Sequence, residues 1–200
     1  MKIKYIGNFN DGTGWAKAST YNALALDAAG YDVYCSEVKY NNVNNVLEQK
    51  ITELLTKESS DFDVVIQHVL PMDYKYVGGA KNIGFIALEN VKFSNRAWLA
   101  SLKIMDDIFV PNVASKEALA MNKIESKVFN HSFNLSKIQN SPKVTSIPEL
   151  DGKFNFVFVG EFVERKNIEA LVLAFHNEFH YTEPVNLYIK TSGKSAQEVK

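Results

Sequence analysis

Short, mostly apolar runs alternate with helical patterns through the first 130 residues, and no other feature narrows the choice of fold so far. The runs cover residues 3–7, 32–35, 64–67, 83–88, 108–110 and 127–130. Strands that are apolar almost throughout belong in a parallel sheet covered on both faces, whereas half-exposed strands alternate apolar and polar residues. The predicted fold class is therefore α/β, a Rossmann-like parallel sheet with helices on both faces. Helical patterns fall at 15–29, 45–57, 95–105 and 114–121, and the first stops at Gly30, a natural helix terminator. In the second, Val46, Leu47, Ile51, Leu54 and Leu55 recur at helical spacing opposite Glu48, Lys50, Glu53 and Lys57, which predicts a covering helix.

The pattern starts again near the end of the chain. Phe154-Asn155-Phe156-Val157-Phe158-Val159 stops at Gly160, a loop carries Arg165-Lys166-Asn167, a helical pattern follows, and residues 185–189 form a further apolar run. Free N–H groups and the positive dipole end of a helix favour an anion, and two adjacent cations strengthen that preference. Phosphate is the natural guest; solvated surface charge is the plain alternative. Between the two regions Ser, Asn and Lys dominate, with interruptions at Pro142 and Pro148. The reading is a first domain over 1–134, a linker over 135–153 and the start of a second domain over 154–200. Strand, helix and strand do not close a core, so the second domain reads as incomplete and the chain as a piece of a longer protein.

Hydrophobic residues make up 46% of the 200 and charged residues 22%, which is globular composition. A net charge of -1 gives no global field to attract nucleic acid or anionic lipid, so an anion site must be local and no nucleic-acid partner is predicted. The single cysteine, Cys35, excludes an intrachain disulfide and a multi-cysteine metal site, fits a reducing compartment and reads as buried apolar filler. No apolar run approaches the ~20 residues that span a bilayer. The expectation is a cytoplasmic protein without a transmembrane segment.

In open parallel sheets ligands collect beyond the carboxyl ends of the strands. Those positions hold 8–15, His68, Glu89 with Asn90, Pro111 with Asn112, and 161–167. Gly12, Thr13, Gly14 and Trp15 form a loop in which two residues without side chains admit a ligand to the backbone. His68 and Glu89 are the catalytic candidates, able to orient or deprotonate a hydroxyl from a shared cleft. A lone histidine after a strand is more often a hydrogen-bonded structural residue, and Trp98, which would stack on a sugar, is more often core. A dinucleotide fingerprint read from Gly12 places Lys17 where its last glycine belongs, with Glu37 as the ribose-binding acid. Two alternatives follow: an NAD(P)-dependent oxidoreductase using the Gly12 to Gly14 loop, and a non-catalytic truncated module that binds a glycan or a protein.

Taken together and in chain order, Gly12-Thr13-Gly14-Trp15, the segment from Gly84 to Glu89, Phe109-Val110-Pro111-Asn112 with Ser115-Lys116-Glu117, and Phe156-Val157-Phe158-Val159-Gly160 with Arg165-Lys166-Asn167 resemble a GT-B glycosyltransferase of family 4. The resemblance runs from residue 1 to about residue 190, and its most specific part is the second-domain opening followed by Ala174-Phe175. It implies two Rossmann-like domains facing a cleft, with the acceptor mainly on the first and a nucleotide-diphosphate sugar mainly on the second. The implied reaction is hexosyl transfer to a hydroxyl, with retention, with no cofactor beyond the donor substrate and no obligatory metal. Lys166, with Arg165, would neutralise the departing diphosphate. Gly12, Thr13 and Gly14 would pack on the same phosphates or on the acceptor, with Trp15 and Asn112 on the acceptor side. Glu89 stands where many relatives carry a cleft histidine. Glu161 stands where the family often has arginine, and the family's paired-glutamate motif would lie past Lys200.

Overall fold

The structure, a computed structural model, describes residues 1–89, 95–142 and 152–191. The chain forms two compact units, Met1–Gln139 and Asn140–Lys200. Asn90, residues 143–151 of the predicted linker and residues 192–200 of the predicted second domain lie outside the described residues.

The first unit runs β1 (Lys2–Gly7), α1 (Gly14–Ala28), β2 (Asp32–Glu37), α2 (Gln49–Thr56), β3 (Val64–His68), a 3-10 turn (Pro71–Asp73), β4 (Lys81–Phe85), α3 (Arg96–Lys103), β5 (Asp107–Val110), α4 (Val113–Ala120), β6 (Lys127–Val128) and α5 (Leu135–Gln139). The strands form one six-stranded sheet, order β2-β1-β3-β4-β5-β6, with every pair parallel. Tyr5 lies opposite both Cys35 and Ile66, and Phe85 opposite Phe109, so side chains two apart line one face. On that face Ile3, Tyr5, Val33, Cys35, Ile66, Ile83 and Phe85 pack with Ala23 of α1 and with Ile51 and Leu54 of α2. The other face holds a second core, where Ile108 and Val110 meet Leu102 of α3 and Leu119 of α4. Each such buried aliphatic contributes about 1.5–3 kcal/mol. The predicted α/β class is what this unit adopts, and Cys35 is buried in its core.

Several boundaries differ from expectation for local reasons. The helix predicted from residue 45 starts at Gln49, because Asn45 donates both its backbone N–H and its side-chain Nδ2 to Asn10 O, at 2.9 and 3.0 Å. The strand predicted over 83–88 ends at Phe85; Ile86 still donates to Phe109 O at 3.0 Å, but Leu88 has turned toward α4, where Ser115 contacts its backbone at 3.4 Å. The run over 127–130 is a strand only at Lys127–Val128, after which the Asn130 side chain donates to Pro111 O. Residues 135–139, read as the start of the linker, form the short helix α5 within the first unit, where Lys137 pairs with Glu48 at 3.3 Å.

In the second unit β7 (Phe154–Val159) pairs in parallel with β8 (Val185–Lys190) along its whole length, and α6 (Ile168–Glu178) makes the crossover. Phe156 meets Phe175 and Phe179 at ring distances of 6.0 and 5.5 Å, which joins helix to strand. No residue of β7 is fully buried, and Val157 and Val159 are 64% and 69% exposed. Two strands and one helix leave apolar surface uncovered that a larger sheet would bury.

Candidate functional site at the carboxyl edge

Strand order reverses at β1, so the switch point of the first unit lies between the carboxyl ends of β1 and β3. Gly7 and His68 stand opposite each other there. His68 is 1% exposed. Its Nδ1 lies 2.9 Å from Tyr5 Oη and 3.3 Å from Ser19 Oγ, and its ring stacks on Phe85 at 4.4 Å. Trp15 at 5.1 Å and His131 at 5.4 Å complete the cover. Glycine at position 7 makes this possible, since a Cβ there would sit 2.7 Å from Ser19 Oγ.

Burial first, and then the neighbouring His131, push the His68 pKa down to about 3. The sequence reading put His68 in an open cleft as an orienting or proton-accepting group; the structure encloses it in aromatic rings, where the imidazolium that base catalysis requires is penalised. Glu89 is exposed in the loop after β4. His131, on the segment after β6, was not singled out from sequence. It is half-buried, stacks on His68 and Phe85, has its pKa lowered by burial, and keeps Nδ1 enclosed without a partner. Its place just past a predicted strand end was the available signal.

The glycine loop after β1 is tied to itself. Asp11 Oδ1 accepts from the Thr13 N–H at 2.9 Å and from Thr13 Oγ1 at 2.6 Å, while Oδ2 accepts from Asn8 Nδ2 at 2.6 Å and Asn41 Nδ2 at 3.4 Å. Thr13 Oγ1 in turn caps α1 by accepting from the Ala16 N–H at 3.3 Å. Gly12 adopts φ +72, and the Asn45 side chain occupies its flank, with Nδ2 2.6 Å from where a Cβ would lie. A pyrophosphate approaching as in a dinucleotide site would meet that amide. Gly14 has nothing within 4 Å of its Cβ direction and is the open side of the loop. Trp15 is half-buried against His68, and Asn112 Oδ1 accepts from the Ser115 N–H at 2.8 Å, capping α4. Asn8 Oδ1, Asn10 Oδ1 and Glu37 Oε1 are enclosed without partners, so the carboxyl edges of β1 and β2 carry unmet hydrogen-bonding capacity.

In the second unit the loop from β7 to α6 contains a 3-10 turn, Glu164–Lys166, with Arg165 and Lys166 both exposed. Asn167 takes the left-handed conformation at φ 50 and starts α6 without a side-chain cap, which leaves the first helical N–H groups open to a guest. A cavity of about 210 Å³ beside this start is lined by Phe162, Val163, Glu164, Asn167, Ile168 and Glu169. An anion inside that cavity would face two carboxylates, so an anion held by Arg165 and Lys166 must sit outside it.

A groove of about 510 Å³ elsewhere in the first unit includes Lys4, Tyr34, Lys57 and Phe62. There Lys57 is paired with Asp32 and lies over the Tyr34 ring, while Lys4 lies over Phe62. Among the described residues no group of three His, Cys, Asp or Glu is placed to hold a metal ion, and no helix is long and apolar enough to cross a membrane. A scan against protein-family models, a search of curated proteins and a search of solved structures each find no match to this chain.

Proposed function

We propose that this chain comprises the acceptor-side unit and the opening of the donor-side unit of a glycosyltransferase similar to the GT-B enzymes of family 4. It moves a hexose from a nucleotide-diphosphate sugar to a hydroxyl acceptor, in the cytoplasm and without an obligatory metal. The observation that carries the reading is the second parallel βαβ unit, whose strand-to-helix loop puts Arg165 and Lys166 in one turn ahead of an uncapped helix start. That arrangement meets negative charge as it develops on a departing diphosphate. The six-stranded parallel sheet supplies the acceptor side, with polar groups gathered at its carboxyl edge.

In this reaction the acceptor oxygen bonds to the sugar's anomeric carbon as the bond to the diphosphate breaks, and the nucleoside diphosphate leaves with the electron pair. Because burial penalises a charged His68, the exposed carboxylate of Glu89 is the better candidate to take the hydroxyl proton. The test is a panel of UDP-, GDP-, ADP- and TDP-hexoses, each incubated with the protein and assayed for released nucleoside diphosphate. Release from at least one donor, lost in Lys166→Ala, is the expected result. No release from any donor and no binding of any nucleoside diphosphate would end the proposal.

A further inference from the structure

The segment between β2 and α2, residues 38–48, lies across the switch point of the sheet. Val38 donates its N–H to Gly7 O at 2.8 Å at the end of β1. The chain then reaches the loop after β3, where Tyr40 Oη donates to Asp73 Oδ2 at 2.9 Å and accepts the Leu70 N–H at 2.8 Å. It comes back to the loop after β1. There Asn41 Nδ2 reaches Asp11 Oδ2 at 3.4 Å, Asn44 Oδ1 accepts from Asn10 Nδ2 at 3.4 Å, and Asn45 closes the flank of Gly12.

The ends of this segment are anchored differently from its middle. Val38 packs on the second core and Leu47 on the first, whereas every residue from 39 to 46 is exposed, Val43 at 51% and Val46 at 100%. The middle is therefore held by polar contacts open to water. Exposed hydrogen bonds with no buried apolar side chain among them give way far below the cost of unfolding the sheet. The glycine loop does not depend on them, because Asp11 and Thr13 still tie it when the segment leaves.

The groups that the segment touches are short of hydrogen-bond donors. Asn8 Oδ1, Asn10 Oδ1 and Glu37 Oε1 are enclosed without partners among the described residues. Neither amide can simply be reversed. Asn8 Nδ2 faces the Asp11 carboxylate at 2.6 Å, and Asn10 Nδ2 faces an Asn44 oxygen that the Lys39 ammonium already fixes at 3.1 Å. All three unmet atoms are acceptors, so a guest that completes them brings hydroxyl or amine hydrogens, whereas a phosphate would set acceptors against acceptors.

We propose that residues 39–46 are a strap, latched by Tyr40, that shuts the Gly12 side of the first unit in the free protein and swings away to admit a polyhydroxylated ligand to Asn8, Asn10 and Glu37. The gate stands on the contacts of the strap alone; that the guest is the sugar acceptor rests on the transferase reading.

Amide hydrogen exchange of the 200-residue chain, read residue by residue by proton–nitrogen NMR, tests the gate. The Asn45 and Leu70 amides should exchange at least about a hundredfold faster than those of Val65 and Ile66 in β3. Tyr40→Phe should speed both by about threefold to tenfold while Val65 and Ile66 stay unchanged and report an intact fold. Leu70 loses its own acceptor in that variant, so Asn45 is the diagnostic amide. An Asn45 rate that does not move, or one as slow as the sheet, overturns the gate. Asp73→Ala, which breaks the latch from the other side, should repeat the effect on Asn45. Methyl glycosides of glucose, galactose, mannose and N-acetylglucosamine, with inorganic phosphate as the contrasting probe, test the ligand class through the Gly12 and Asn45 signals. At least one glycoside should shift them and bind Tyr40→Phe about threefold to tenfold more tightly, because a weaker latch raises the open fraction. Equal or weaker binding by Tyr40→Phe, no shift from any glycoside, or a shift from phosphate alone overturns the proposal. Nucleoside diphosphate binding at Arg165 and Lys166 is read separately: its absence would refute the transferase reading and leave the strap standing.

Discussion

The chain contains two strand-helix-strand openings built to one plan, β1-α1-β2 and β7-α6-β8, and they differ in nearly everything except plan. In the first, the strands lie inside a six-stranded sheet and the loop is closed upon itself by Asp11, Thr13 and Asn45. In the second, the sheet of the described residues has two strands, its apolar side chains are largely exposed, and the loop, held by backbone hydrogen bonds from Lys166 to Val163 and from Asn167 to Glu164, exposes Arg165 and Lys166. Identical backbone topology thus supports a rigid polar edge in one place and an open charged turn in the other. The difference lies in the side chains of the loop: those of the first unit bind each other, whereas Arg165 and Lys166 of the second are exposed.

The largest expected contrast is in stability. Leu54→Ala, at 1% exposure in the first core, should cost about 2–5 kcal/mol in denaturant unfolding, whereas Val157→Ala should cost less than about 1 kcal/mol. Equal losses would mean that the exposed face of β7 is covered in solution. The loops contrast next. Gly12→Ala adds a Cβ at positive φ against Asn45 and should destabilise by about 1–3 kcal/mol, while Asn167→Gly, at φ 50, should stay within about 0.5 kcal/mol of wild type. If Gly12→Ala is silent, the first loop is not locked as described.

A third contrast is in pH. The His68 pKa is depressed to about 3 in the folded state against about 6.5 unfolded. The unfolded chain therefore binds more protons between those values. Stability from this group is complete above about pH 6.5 and is lost as the pH falls toward 3, with a limiting slope of about 1.4 kcal/mol per pH unit. His131, also depressed by burial, acts in the same direction. His68→Phe should flatten that slope in acid unfolding measured by circular dichroism.

What the sequence made legible followed from burial and periodicity. The parallel sheet was readable because its central strands, such as 64–67, are apolar on both faces, and α1 because Gly30 ends it. The enclosure of His68 was not readable. It depends on Tyr5 and Ser19 meeting the histidine across 63 and 49 residues, and on a glycine at position 7 that looks like any strand-ending glycine. The lock on the glycine loop was hidden for the same reason, since Asn45 reaches back 35 residues to Asn10 and thereby delays the start of α2. Arg165 and Lys166 were legible as a cationic loop, but the carboxylates of Glu164 and Glu169 lining the adjacent cavity emerged only in three dimensions.

The central claim is that the cationic turn before α6 binds a diphosphate, and calorimetric titration with UDP, GDP, ADP and TDP tests it most directly. At least one should bind the native chain, with Lys166→Ala weakening it about tenfold or more and Arg165→Ala adding to the loss, as expected for charge-assisted hydrogen bonds. Binding that survives the Lys166→Ala, Arg165→Ala double substitution unchanged would contradict the account, as would no binding of any of the four nucleotides.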